Sequence, residues 1–186
     1  MSGPRERWVS LRKPVADCVD GSGSFLDIGC ANGYLLECCI EWTAARQISI
    51  EPYGLDISEK LVNLAKNRLP GYEDNFYVGN AFTWLPPRRF DFVRTELVYV
   101  PAEYEKQYLT FLLENYLNPG GKLLVANYGE GLTRPEIERG IMEGSHATGD
   151  ILLRLGELGF APIGHKDGYD PVKDRKVRVA ILNGIK

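Results

Sequence analysis

The sequence predicts an α/β domain built on a doubly wound, seven-stranded and mostly parallel sheet with helices on both faces. Three observations lead to this fold class. Short apolar runs alternate with segments of helical period, and most of these runs are unbroken, as in strands that are covered on both sides. The last two runs follow each other without a helix between them, which predicts an antiparallel hairpin at one edge of the sheet. The length of 186 residues fits one domain.

The predicted elements follow from local patterns. Strands are expected at residues 25–28, 53–56, 76–78, 90–93, 122–126, 160–165 and 177–182. Helices are expected at residues 34–45, 58–69 and 151–158, and after Pro101. Ser58 offers an N-cap hydroxyl, and Pro70 with Gly71 ends that helix. Residues 118–121, Asn-Pro-Gly-Gly, predict a tight turn.

Composition excludes several classes of protein. Hydrophobic residues form 44% and charged residues 25% of the chain, which is ordinary for a globular domain and unlike a disordered or coiled-coil protein. No apolar run approaches the ~20 residues of a membrane helix, and residues 1–13 lack the apolar core of a signal peptide. The four cysteines show no zinc-type spacing. We therefore expect a reduced cytoplasmic protein with no metal site and no membrane partner.

The charge is distributed unevenly. The formal net charge is −3, yet residues 1–13 and residues 166–186 each carry a net charge of +3. Basic ends around an acidic middle are typical either of solvated termini or of a protein that binds an anionic substrate or RNA. The charge pattern alone leaves both interpretations open.

Polar residues at three predicted strand ends describe one pocket. The turn at residues 27–33 joins a strand to a helix, and its glycines let backbone N–H groups approach a ligand. Asp27, just before this turn, would repel a pyrophosphate and favour a ligand with an amine. Asp56 ends the second strand, where a carboxylate can accept hydrogen bonds from a ribose diol. Asn80 follows the third strand and suits an adenine edge. Together they predict a pocket for an adenosine that bears an amino-acid tail.

At this point the sequence resembles the class I S-adenosylmethionine-dependent methyltransferases. The resemblance rests on five segments in the family's order: FLDIGCANG at 25–33, YGLDIS at 53–58, GNAF at 79–82, FDFVRTELVYVP at 90–101 and LNPGGKLLVANY at 117–128. It implies a Rossmann-like methyltransferase fold and S-adenosyl-L-methionine as the cofactor. The resemblance covers about residues 25–128, which would be the cofactor-binding core of a single methyltransferase domain over 1–186. The rest of this domain is expected to be an N-terminal helix or cap segment at 1–24, a substrate-side loop region at 129–149 and a final helix and strand pair at 150–186.

The resemblance assigns roles to residues of these segments. Asp27 and the Gly29 backbone would hold the methionine amine with help from Thr95, Asp56 would bind the ribose, and Asn80 would bind the adenine amino group. The implied cofactor-binding set is Asp27, Gly29, Cys30, Ala31, Gly33, Asp56, Ile57, Asn80, Ala81, Phe82, Thr95 and Glu96. Ala31 departs from the family, which commonly has glycine there.

The reaction and its acceptor are less constrained by the sequence. A dehydrogenase would also use Asp56, but the dinucleotide fingerprint requires its last glycine one residue after Gly33. His146 and Tyr128 are the candidate catalytic residues, His146 as a general base and Tyr128 at the ligand rim. We expect a small-molecule methyl acceptor and a monomer or homodimer. An RNA or protein acceptor, or a non-catalytic cofactor-binding protein, remains the alternative.

Overall fold

The computed structural model describes residues 4–128, 150–172 and 174–184. Its strands are β1 (Gly23–Ile28), β2 (Ile50–Asp56), β3 (Phe76–Val78), β4 (Phe90–Thr95), β5 (Leu117–Asn127), β6 (Gly164–Asp170) and β7 (Arg175–Asn183). Its α-helices are α1 (Pro4–Asp17), α2 (Tyr34–Ala44), α3 (Glu59–Arg68), α4 (Glu105–Asn115) and α5 (Ile151–Glu157). None of the helices in these ranges is long and apolar enough to cross a bilayer.

The described strands form one sheet in the order β3-β2-β1-β4-β5-β7-β6. Neighbours from β3 to β5 pair in parallel, whereas β7 runs antiparallel to both β5 and β6. This arrangement confirms the predicted fold class, including the antiparallel hairpin at one edge. Strand order reverses beside β1, because the chain moves first to β2 and later to β4 on the other side. Open α/β sheets bind ligands at such a switch point.

Alternate side chains of the strands supply a core on each face of the sheet. On one face Phe25 of β1 belongs to an apolar cluster that includes residues of α1, α2 and α3. On the other face the next residue, Leu26, packs in a cluster with residues of α4 and α5. Side chains alternate across a strand, so consecutive apolar residues serve two cores. This explains why the strands are continuous apolar runs.

Local predictions are confirmed in most elements, with two differences. The Ser58 Oγ accepts a hydrogen bond from the Leu61 N–H (3.4 Å) and caps α3. The predicted turn at 118–121 instead lies within β5, where the pairing jumps from Phe90–Leu117 to Phe92–Lys122. The sixth strand begins at Gly164 rather than at residue 160, because the Phe160 N–H is still bonded to the carbonyl of Leu155 in α5 (2.8 Å).

The N-terminal helix α1 packs on α2 and on the edge strand β6. Arg7 of α1 donates two hydrogen bonds to the buried carboxylate of Asp170 at the end of β6 (2.9 and 2.8 Å). Gly168 permits the close approach, since a Cβ there would overlap the carbonyl oxygen of Ser10. The two basic ends of the chain therefore meet on one side of the molecule.

Candidate active site

A cavity of about 230 Å³ opens where β1 and β2 end, between them and the segments 79–82 and 99–100. It contains several of the residues to which the resemblance assigns the cofactor: Gly29, Asp56, Ile57, Asn80, Ala81 and Phe82. The carboxyl ends of parallel strands share one edge of the sheet, so residues that are far apart in the sequence converge here. The cavity lies where the adenosine pocket is predicted, and it is lined by Asp56 and Asn80 but not by Asp27.

The turn after β1 is shaped by left-handed backbone conformations at Gly29 (φ 72°), Ala31 (φ 48°) and Gly33 (φ 75°). The N–H groups of Gly29 and Cys30 donate to the carbonyl of Leu55 (2.7 and 3.1 Å), which fastens the turn to β2. Ala31 takes this conformation despite its Cβ, at a cost of about 1–2 kcal/mol for a non-glycine residue. The departure from glycine at this position is therefore accommodated at the cost of backbone strain.

The Cys30 side chain turns away from the cavity. A Cβ at Gly54 of β2 would lie 2.7 Å from the Cys30 Sγ, so the thiol packs against the sheet. The thiol is 3% exposed, and burial raises its pKa above the usual range. A neutral, buried thiol is a poor nucleophile. Cys30 can therefore contribute only its backbone to a bound cofactor.

The carboxylate of Asp56 is held in place by two backbone N–H groups, one of which belongs to the turn after β1. Its Oδ2 accepts a hydrogen bond from the Ala31 N–H and its Oδ1 accepts one from the Ser58 N–H (both 2.9 Å). A carboxylate has about four acceptor sites, so each oxygen keeps a lone pair for a ribose hydroxyl. Beside it Ile57 is 76% exposed, an apolar surface at the mouth of the cavity that a flat base would cover.

Asn80 shapes the loop that faces this base. Its Oδ1 accepts a hydrogen bond from the Phe82 N–H (3.0 Å). The Tyr116 hydroxyl lies within hydrogen-bond distance of the carbonyl oxygens of Ala81 (3.0 Å) and Trp84 (2.9 Å), so the loop is tied to the core. The Asn80 amide nitrogen makes no hydrogen bond to another described residue. It can donate to a ring nitrogen of adenine, and its oxygen keeps one lone pair for the amino group.

Beside the inner end of the cavity, a buried arginine pairs with the acidic residue that the motif predicts to be open to an amine. Arg94 of β4 is the register neighbour of Asp27 in β1, and its side chain is 3% exposed. Its Nη1 donates to Asp27 Oδ1 (3.2 Å) and to the carbonyl of Ile28 (3.1 Å), while its Nη2 pairs with Glu96. Two carboxylates thus share one cation. The Arg94 Nε is buried and has no hydrogen-bond partner among the described residues.

Burial sets the protonation of Asp27. Removal from water raises the pKa of this carboxyl to about 6, although the Arg94 guanidinium opposes the rise. Glu96 adds to the rise because its negative charge lies nearby. Asp27 is 1% exposed and Arg94 lies against it. The structure therefore places Asp27 beneath the surface of the cavity. Its predicted contact with an amine requires a rearrangement of the side chains that bury it.

Tyr99 covers the glycine turn. A Cβ at Gly29 would overlap the Tyr99 hydroxyl and would lie 2.6 Å from the ring carbon Cζ. The hydroxyl accepts a hydrogen bond from Arg94 Nη1 (2.9 Å) and donates one to Glu96 Oε1 (3.1 Å). The Tyr99 ring therefore fills the space above the turn that is predicted to line the amino-acid end of the cofactor.

The remaining predicted residues lie around this cluster. The Thr95 hydroxyl is fully buried and lies 2.7 Å from the Tyr108 hydroxyl, so it faces the core beside the cavity. Tyr128 directly follows β5 and accepts a hydrogen bond from Arg94 Nη2 (3.3 Å). The guanidinium of Arg12 lies over its ring, 3.4 Å from the centroid. Burial raises the pKa of Tyr128. His146 lies outside the described residues.

No site role was predicted from the sequence for Arg94, Tyr99 or Arg12. A charge within the apolar run Phe-Asp-Phe-Val-Arg-Thr of β4 was the available signal for Arg94, since a buried strand rarely holds an unpaired cation. No comparable signal marked Arg12 or Tyr99. Within the described residues no cluster of three or more potential metal-ligating side chains is found.

Comparison with known proteins identifies the family of the chain. The family model described as "Methyltransferase domain" matches residues 20–152, more than half of the chain. The chain matches no curated protein. Among solved structures, it is similar to N-methyltransferase NodS from Bradyrhizobium japonicum WM9, with 14% identity, 98% of this chain and 96% of that chain covered, and a TM-score of 0.67.

Two further solved structures share the fold. The complex between the Haloferax volcanii Trm112 methyltransferase activator and a methyltransferase matches with 15% identity, 98% and 92% coverage and a TM-score of 0.69. An S-adenosylmethionine-dependent methyltransferase from Geobacter sulfurreducens, solved with S-adenosyl-L-homocysteine, matches with 20% identity, 90% and 68% coverage and a TM-score of 0.58. At these identities the structures show the fold, and the family model shows the family. The chain belongs to the methyltransferase domain family, which confirms S-adenosylmethionine-dependent methyl transfer as the class of activity that the sequence predicts.

Proposed function

We propose that this protein transfers the methyl group of S-adenosylmethionine to a small-molecule acceptor. The cofactor supplies an electrophilic methyl group when it is bound. The protein's own part is to hold the adenosine at Asp56 and Asn80, to exclude water with Phe82 and Val100, and to align the acceptor. Alignment of two reactants can lower a barrier by about 7–11 kcal/mol, so methyl transfer to a good nucleophile needs no strong catalytic base.

Ion pairing of the basic ends is the observation that favours a small acceptor over RNA. Both ends meet where α1 packs on β6, but Arg7 is committed to Asp170 and Arg178 is committed to Asp167 (2.7 and 3.0 Å). The groove between α1 and β6 is lined by two lysines and two aspartates. Phosphate backbones are bound by clustered cations that lack such partners. These pairs therefore leave fewer unpaired cations on this face for the phosphates of RNA.

The acceptor side of the proposed site is formed by Tyr128 and Arg12. Tyr128 stands at the carboxyl end of β5, beside the strand that carries Arg94. Arg12 forms no ion pair with a described carboxylate, and its guanidinium covers the Tyr128 ring. Helix α1 thereby closes the site above β5 and provides a positive charge next to it. We expect this wall to select the acceptor.

An acceptor screen that measures release of S-adenosylhomocysteine tests the proposal. Panels of small acids, phenols, amines and thiols are compared with transfer RNA and with a protein mixture, using Asp56→Ala as the control that cannot hold the ribose. Release with a small molecule is expected. Release with RNA alone would contradict the proposal, as would RNA binding whose affinity falls by about 10³-fold or more between about 50 and 200 mM salt.

A further inference from the structure

The Tyr99 hydroxyl occupies an unusual electrostatic position at the inner end of the cavity. It accepts a hydrogen bond from the Arg94 guanidinium and donates one to the Glu96 carboxylate. Its ring lies over Gly29, in the space that a side chain at this position would fill. One neutral hydroxyl thus lies between a cation and an anion, directly above the turn that is predicted to line the cofactor.

The amino-acid tail of S-adenosylmethionine has the same pair of hydrogen-bonding functions. Its carboxylate accepts from a guanidinium, and its ammonium group donates to a carboxylate. A phenol hydroxyl performs both functions more weakly, because it carries no charge. Arg94 and Glu96 therefore form a site that suits a zwitterion better than it suits the tyrosine that now covers it.

On the basis of the proposed function, we propose that Tyr99 occupies the binding site of the cofactor's amino-acid tail when no cofactor is bound. Arg94 and Glu96 bind the carboxylate and the amine of this tail once Tyr99 has turned away from Gly29. Tyr99 thereby determines how strongly the protein discriminates a nucleoside with the tail from a nucleoside without it. In this assignment the amine of the cofactor binds Glu96, whose side chain is 20% exposed, and not the buried Asp27 that the resemblance implies.

The local structure allows Tyr99 to move while Arg94 stays. Tyr99 ends a three-residue 3₁₀ turn at Leu97–Tyr99 and is itself 39% exposed. Leu97 anchors this turn, because its side chain is buried in the core on that face of the sheet. Arg94 lies within β4 and is held by Asp27 and by the Ile28 carbonyl. Rotation of Tyr99 would thus uncover a fixed guanidinium.

The test compares two ligands by isothermal titration calorimetry. S-adenosylhomocysteine carries the tail, whereas 5′-methylthioadenosine has the same nucleoside and sulfur without it. In Tyr99→Ala we expect S-adenosylhomocysteine to bind at least tenfold more tightly than in the wild type, and 5′-methylthioadenosine to change by less than about twofold. Tyr99→Phe, which keeps the ring and removes the hydroxyl, should show a smaller gain of the same kind.

Two further variants identify the cause. Glu96→Gln combined with Tyr99→Ala should remove most of the gain for S-adenosylhomocysteine and leave 5′-methylthioadenosine unaffected. Tyr72→Ala is the matched control, because Tyr72 is an exposed tyrosine that does not line the cavity. It should change neither affinity.

The outcomes separate this inference from the proposed function. Weaker binding of S-adenosylhomocysteine by Tyr99→Ala and Tyr99→Phe would overturn the inference, because Tyr99 would then hold the cofactor. Equal changes for both ligands would overturn it as well, because the effect would not concern the tail. If the wild type and every variant bound neither ligand, the proposed function itself would fail. Binding by Tyr99→Ala where the wild type binds only 5′-methylthioadenosine would support both.

Discussion

The buried carboxyl of Asp27 makes stability depend on pH in the direction opposite to that of most acidic residues. In the unfolded chain this carboxyl loses its proton near pH 3.8, whereas burial raises its pKa to about 6 in the folded protein. Between these values the folded state binds more protons than the unfolded state. Unfolding then releases a proton, so the free energy of unfolding falls as the pH rises through this window.

The size of the effect follows from the shift. One pKa unit corresponds to about 1.4 kcal/mol, so a rise from 3.8 to about 6 amounts to about 3 kcal/mol. Other groups also titrate in this window, and a matched variant removes their contribution. Asp27→Asn keeps the shape of the side chain and an acceptor for Arg94, which retains Glu96 as its counter-charge. The difference in free energy of unfolding between the wild type and Asp27→Asn isolates the Asp27 titration.

Urea unfolding of both proteins between pH 4 and pH 7 measures this difference. We expect the wild type to lose about 2–3 kcal/mol relative to Asp27→Asn over that range. Asp91 provides a control whose pKa is shifted in the opposite direction. Burial acts to raise its pKa, but hydrogen bonds from Asn118 and Ser24 lower it below the usual value. Its stabilisation is therefore lost only as the pH falls below the usual pKa of an aspartate, and the difference between the wild type and Asp91→Asn should stay flat between about pH 5 and pH 7. The interpretation of Asp27 as a buried, desolvated acid would be refuted if the free energy of unfolding of the wild type, relative to that of Asp27→Asn, stayed constant or increased with pH.

Three other substitutions test parts of the site. Gly33→Ala should lower the free energy of unfolding by about 2 kcal/mol or more, since φ is 75° and the new Cβ would lie 3.1 Å from the Ala65 Cβ. Gly71→Ala is its control, because Gly71 also has a positive φ (92°) but is surrounded by open space. It should cost only the backbone strain of about 1 kcal/mol. Equal losses of the free energy of unfolding in urea for the two variants would show that the contact with Ala65 does not matter. Tyr116→Phe should lose about 1–2 kcal/mol and weaken 5′-methylthioadenosine several-fold in calorimetry, because its hydroxyl holds the loop at Ala81. Unchanged nucleoside affinity would mean that this loop does not depend on Tyr116.

Sequence patterns predicted the elements of this fold because burial acts on each element locally. Strands covered on both faces must be continuously apolar, and the absence of a helix between residues 165 and 177 left only a hairpin for the last two strands. Asp56 and Asn80 were found for a related reason, because polar residues at the ends of parallel strands meet at one edge of the sheet. Both lie at the cavity in the structure.

The arrangement at Arg94 was not predictable in the same way. Its partner Asp27 lies 67 positions earlier in the chain, and the two meet only because β1 and β4 pair in one particular register. Hydrophobic periodicity identifies strands but does not fix that register. The position of Tyr99 depends on the 3₁₀ turn after β4, for which the sequence carries no strong local signal. The charge state of Asp27 then follows from burial, which is a property of the assembled fold.

Binding of S-adenosylhomocysteine tests the central claim most directly, since every assigned role depends on a cofactor in the cavity at the ends of β1 and β2. Calorimetric titration of the wild type and of Asp56→Ala is the decisive measurement. We predict a single site in the wild type and at least a tenfold weaker affinity in Asp56→Ala, because the carboxylate that faces the ribose would be lost and the Ala31 and Ser58 N–H groups would lose their acceptor. Equal affinities of the two proteins, or no binding of S-adenosylhomocysteine by either the wild type or Tyr99→Ala, would contradict the account.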